Sequence, residues 1–122
     1  MHDAETGSLA RTPEPPYYAV VFTSLRTEDD AEGYGATAAE MERLAAQQPG
    51  YLGIESARAD SGVGITVSYW VSPEAIRNWK QVAEHRLAQR MGREKWYRRY
   101  RIRVSRVERD YAWERPGEAP AS

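Results

Sequence analysis

The sequence contains no cysteine. That excludes disulfides, thiolate metal sites and a cysteine nucleophile, and it fits a reducing compartment. Histidine is nearly as scarce. Of the 2 in the chain, His2 lies in a polar amino-terminal stretch and His85 stands alone within the apolar-patterned part. Two histidines so placed cannot build an ordinary zinc site, so neither a metal nor a cofactor is expected. The sequence shows no Gly-x-Gly-x-x-Gly, no phosphate-binding loop and no Gly-x-Ser-x-Gly elbow. Nucleotide, flavin and serine-hydrolase chemistry therefore has no signature. No apolar run is long enough to span a bilayer, and the amino terminus lacks the basic and apolar regions of a signal peptide. A cytoplasmic protein with no membrane partner is expected. Net charge is -1, which implies no polyelectrolyte partner by bulk attraction.

What is present is a chain of 122 residues, the size of one domain, with 41% hydrophobic residues. So small a domain buries a modest share of its surface, and self-association is a reasonable expectation. The aromatic residues are mostly ones with a polar tip, 8 Tyr and 4 Trp against 1 Phe, which suits half-wet cavities and interfaces.

Residues 1–16 are polar and end in Thr-Pro-Glu-Pro-Pro, which reads as a disordered arm. Residues 114–122 read the same way, as a flexible tail, leaving 17–113 as the folded unit. Within it, Tyr17 to Leu25 is a strand, apolar on both faces. An amphipathic helix follows from about Asp29 to Gln48, carrying Tyr34, Ala38, Met41, Leu44 and Ala45 at helical spacing. Tyr51 to Arg58 and Gly64 to Val71 form a hairpin across the Asp60-Ser61-Gly62 turn. Ser72-Pro73 opens a second helix that runs to about Arg90, with Ile76, Trp79, Ala83 and Leu87 as its apolar stripe and Gly92 as its stop. A fourth strand is read from about Arg99 to Trp113. Its apolar parity switches between Val104 and Val107, which predicts a bulge near Ser105. The order β-α-β-β-α-β is that of an α+β, ferredoxin-like sandwich. Its two helices cover one sheet face and leave an apolar second face bare, and a second copy is the simplest cover.

The stretch SYWVSPEAIRNWK (Ser68 to Lys80) resembles the strand–Trp–Ser–x–Glu–Ala–helix signature of the antibiotic biosynthesis monooxygenase superfamily. EHRLAQRMG (Glu84 to Gly92) and YRIRVSRVERDY (Tyr100 to Tyr111) are similar to one bacterial branch of it. The resemblance implies a homodimer built as a dimeric α+β barrel, in which two four-stranded sheets face each other. For activity it implies a cofactor-independent oxygenase acting on an aromatic or quinone-type molecule, a haem-degrading enzyme, or a binding module without turnover. Haem-degrading relatives carry a Trp and a downstream His on the second helix and an Asn on the first strand. Trp79 matches the Trp, Gln89 stands at the His position, and Tyr17 to Leu25 contains no Asn, which argues against haem.

An oxygenase without a cofactor needs a base, hydrogen bonds to a substrate anion and a dry aromatic wall. His85 is the candidate base or hydrogen-bond donor, Asn78 would orient the substrate, and Trp70, Trp79, Trp96 and Tyr69 would bind it. Each has a plainer alternative: a structural hydrogen bond for His85, and core packing for the rings. Ten Lys/Arg between Arg86 and Arg109, against Glu94 and Glu108, raise nucleic-acid binding as a further reading. It is unlike the ferredoxin-like RNA binders, because Gly64 to Val71 lacks their Gly-aromatic-x-aromatic strand motif. Pairing of these bases with the acidic first helix is the simpler expectation.

Overall fold

A computed structural model of the chain describes residues 9–117. Parts of the expected arm and tail, residues 1–8 and 118–122, lie outside the described residues. Seven elements follow in order: β1 (Tyr17–Arg26), α1 (Ala31–Ala46), β2 (Tyr51–Arg58), β3 (Val63–Trp70), α2 (Pro73–Gln89), α3 (Gly92–Trp96) and β4 (Tyr97–Val107). The strands form one sheet in the order β2-β3-β1-β4, every neighbouring pair antiparallel. This is the expected ferredoxin-like α+β fold, with an added short helix.

Strand periodicity sorts the side chains. Tyr18, Val20, Phe22 and Ser24 of β1 sit opposite Trp70, Ser68, Thr66 and Gly64 of β3 and face the helices. Alternate residues, among them Ala19, Val21 and Leu25 with Tyr69, Val67 and Val63, face the other way. The core is Ala45 of α1, Trp70 of β3, and Ala75 and Ile76 of α2, with Tyr18, Val20, Tyr51 and Trp79 packed around it.

Helix starts follow the capping chemistry of the sequence. Ser72 accepts from the Ala75 amide at 3.1 Å, and Pro73 occupies the first turn of α2, where its missing N–H costs nothing. Asp30 caps α1 by accepting from Gly33 N at 3.1 Å. The end of α2 differs from the expectation. The residue in the left-handed region is Met91 (φ 54), and Gly92 does not stop a helix but begins α3. Its missing Cβ leaves room for Trp96, whose ring carbons lie 2.6 Å from where that atom would stand.

β4 also differs. It starts at Tyr97 and ends at Val107, and its register against β1 runs unbroken through Ser105, so there is no bulge there. The irregularity lies at the other end, between Leu25 and Arg26 of β1, where the partners step from Arg99 to Tyr97. Tyr111 and Trp113 lie beyond the strand and are exposed. Their parity switch marks the end of the sheet, not a kink in it.

The face turned from the helices is partly roofed. Ala10 N donates to Glu55 at 2.9 Å, Thr12 Oγ1 donates to the Tyr17 hydroxyl at 3.0 Å, and that hydroxyl donates to the Asp110 carboxylate. Tyr17 and Ala19 are buried there, while Val63 and Ile65 at the far end of the same face are 42% and 46% exposed.

Candidate functional site

The ring-bearing residues gather mainly on the helix side of the sheet, at its two ends. At one end Trp70 is sealed in the core, donates its indole N–H to Ser68 Oγ at 2.9 Å, meets Tyr51 edge-on, and carries Trp79 stacked on it at 6.0 Å. Trp79 is half-buried, so one ring of the pair is structural and the other reaches solvent. Alongside, Val104 and Ile102 of β4 sit opposite Val20 and Phe22 on this same side. They remain 56% and 49% exposed, because the helices do not extend over the edge strand. An aliphatic shelf thus continues outward from the core.

At the other end Phe22, Tyr34, Trp96, Tyr97 and Tyr100 form a chain of ring contacts between 5.2 and 6.0 Å. Trp96 is buried and donates its N–H to Asp30 at 3.3 Å. Burial, reinforced by Tyr34, pushes the Tyr97 phenol well above the usual tyrosine range.

The expected site residues therefore fall in four places. Asn78 and His85 are exposed on α2 and, seven residues apart, share one helix face close to Trp79 in sequence. Trp70 and Trp79 are together, Trp70 as the back of the stack. Trp96 belongs to the opposite end, and Tyr69 to the opposite sheet face. There its hydroxyl donates to Glu55 at 2.7 Å, with its pKa raised by burial and by that carboxylate. That adjacent strand residues Tyr69 and Trp70 point to opposite faces follows from the period of two.

Of the basic residues from Arg86 onward, three meet the acidic first helix or its cap. Arg86 and Arg90 pair with Glu40 at 2.5 and 3.1 Å, and Lys95 lies 3.7 Å from Asp30. Arg99, Arg101 and Arg103 occupy alternate positions of β4 on the bare face. With Thr23, Leu25 and Val63 they border an open depression of about 520 Å³.

Sequence reasoning passed over the arginines at the Tyr34 end. Arg26 lies 3.7 Å above the Tyr34 ring and Arg58 5.3 Å from it. Arg58 reaches this place across Gly64. The signal was in the sequence, since a glycine inside a strand often marks a close approach.

No helix among the described residues is long and apolar enough to cross a membrane. Among the same residues no cluster of three or more His, Asp or Glu is arranged to hold a metal ion.

Comparison with known proteins places this geometry. The chain is 54% identical over 101 residues to the uncharacterized protein YqjZ of Bacillus subtilis, covering 83% of this chain and 88% of that one. It superposes on Rv0793 from Mycobacterium tuberculosis with a TM-score of 0.63 at 18% identity, covering 80% of this chain and 99% of that chain. It superposes on SnoaB, a cofactor-independent oxygenase from Streptomyces nogalater, with a TM-score of 0.58 at 13% identity, covering 85% and 100%. At such identities these two structures speak for the fold alone. Residues 16–91 match the family described as antibiotic biosynthesis monooxygenase. The chain belongs to the antibiotic biosynthesis monooxygenase family.

Proposed function

We propose that the protein binds a small aromatic or quinone-type molecule on the helix side of its sheet and oxidises it with dioxygen, without a cofactor. The observation that carries this reading is the half-open Trp79 ring, stacked on a sealed Trp70, on the same side of the sheet as the exposed Val104 and Ile102. A flat ring laid there would cover apolar surface and meet a rigid aromatic wall. His85 takes a proton from the bound phenol or activated methylene, and Asn78 holds the resulting anion by hydrogen bonding. The substrate anion reduces dioxygen; an activated methylene would leave as a carbonyl with one water released. Membership of the antibiotic biosynthesis monooxygenase family supports the class.

Oxygen uptake with a panel of polycyclic phenols tests it. Turnover by the native protein that falls sharply in His85→Ala and in Trp79→Ala supports the reading. Full turnover in His85→Ala removes that side chain from the mechanism.

A binding module without turnover is the second reading. It is favoured by the exposure of His85, which has no hydrogen bond to a described residue that would orient its ring. Tight binding of the same phenols with no oxygen uptake would select it.

The assembly belongs to the same proposal. Val63 and Ile65, with Val21, Leu25 and Val67, leave an apolar stretch on the face away from the helices. A second copy laid on it completes a dimeric barrel. Ile65→Lys should then turn a dimer into a monomer in light scattering, and a native protein already monomeric would dismiss the homodimer.

A further inference from the structure

The Tyr34 end of the helix side holds a pair of positive charges that no described carboxylate pairs with. Arg58 donates from Nη1 to the Gly62 carbonyl at 2.6 Å, and from Nη2 to Ser24 Oγ at 3.2 Å and the Tyr34 hydroxyl at 2.8 Å. Its guanidinium lies directly over Gly64, where a Cβ would come within 2.5 Å of Cζ and Nη2. Ser24 and Gly64 are both buried, so the floor beneath the guanidinium is built, not incidental. Arg26 stacks on the Tyr34 ring and donates from Nη2 to the Asp29 carbonyl at 3.3 Å, and its Nε–H is buried with no acceptor. Neither arginine forms an ion pair with a described carboxylate. Asp30, the acid that caps α1, is taken by Gly33 N, Trp96 Nε1 and Lys95.

Like charges gathered on one ring repel, and an unsatisfied buried N–H costs free energy. An anion held between the two guanidiniums would relieve the repulsion. The planar fork of a guanidinium matches a carboxylate better than a spherical anion. The surroundings are rings: Tyr34 meets Tyr97 at 6.0 Å, and Tyr97 meets Phe22 at 5.6 Å. We propose that Arg26 and Arg58, floored by Gly64 and Ser24 and walled by Tyr34 and Tyr97, form a binding site for an aromatic carboxylate. This site is distinct from the Trp79 shelf and requires no turnover there.

Calorimetric titration of the full chain with benzoate at low ionic strength tests it, with benzyl alcohol and inorganic phosphate as comparators. Benzoate should bind once per chain and weaken as salt is added. Arg58→Gln and Gly64→Ala should each weaken it by about tenfold or more, the loss expected for a charge-assisted hydrogen bond. His85→Ala should bind benzoate as the native protein does, which separates this site from the oxygenase reading. Should Gly64→Ala fail to fold, Arg26→Gln takes its place. The proposal is overturned if benzyl alcohol binds as tightly as benzoate, if phosphate binds and benzoate does not, if benzoate does not bind at all, or if the folded arginine variants keep native affinity.

Discussion

Trp70 and Trp79 stack with 22° between their ring planes, yet Trp70 is 0% exposed while Trp79 is half-buried. The same contact therefore has two consequences. Trp70→Ala opens a cavity in the core and strands Ser68, and it should cost about 3–5 kcal/mol in chemical denaturation. Trp79→Ala removes a ring that is already half wet, and it should cost about 1–2 kcal/mol while abolishing binding of polycyclic phenols. Equal destabilisation by the two substitutions would mean that Trp79 is as structural as its partner.

Two glycines should respond in opposite directions. Gly50 sits at φ +88, where a Cβ would lie 2.7 Å from Ala75 Cβ and 2.8 Å from Val71 Cγ2. Gly50→Ala should lose about 1–3 kcal/mol through left-handed strain and the clash. Gly35 lies within α1 with nothing within 4 Å of its would-be Cβ. Gly35→Ala should gain about 0.5–1 kcal/mol by stiffening the unfolded chain and favouring the helix. Thermal melts of both variants decide the matter.

The buried phenols make the fold sensitive to alkali. Burial first, then Tyr34, raises Tyr97, and burial first, then Glu55, raises Tyr69. In the unfolded chain these phenols ionise near pH 10, so their contribution is complete below that pH. It is lost as pH rises from there through their higher native values. Denaturation midpoints should fall above pH 10. Tyr69→Phe should flatten part of that slope, and an unchanged slope in the variant would exclude Tyr69 as a cause.

Asp30 makes the opposite demand at low pH. The Gly33 amide above all, then the Trp96 N–H and Lys95, holds its carboxyl below the usual 3.8. Its stabilisation is present above that pH and disappears as pH falls through the lower native value. Melting temperature should drop on acidification through this range, together with a change in Trp96 fluorescence. Asp30→Ala should show a lower melting temperature at neutral pH and a smaller acid response.

Much of this was legible in the chain itself. Alternation in YYAVVFTSL and GITVSYWV, the Ser72-Pro73 helix start and the order of elements are local signals, because backbone period and capping depend on near neighbours. The same alternation already separates Tyr69 from Trp70. Family membership was also readable, through Ser68 to Lys80. The short α3 was not, since five residues carry no periodicity, and Gly92 reads as a stop when its use is to seat Trp96.

What only the tertiary structure decided is which distant residues share a place. No spacing in the sequence brings Arg26, Tyr34 and Arg58 together; the crossover from β1 through α1 to the β2–β3 hairpin does. Nor could apolar parity say that Ile102 and Val104 face the helix side and yet remain open, because that depends on how far the helices reach across the sheet. Local pattern determines the elements and their faces, and packing of those faces determines which side chains become a core, a shelf or a cluster of charge.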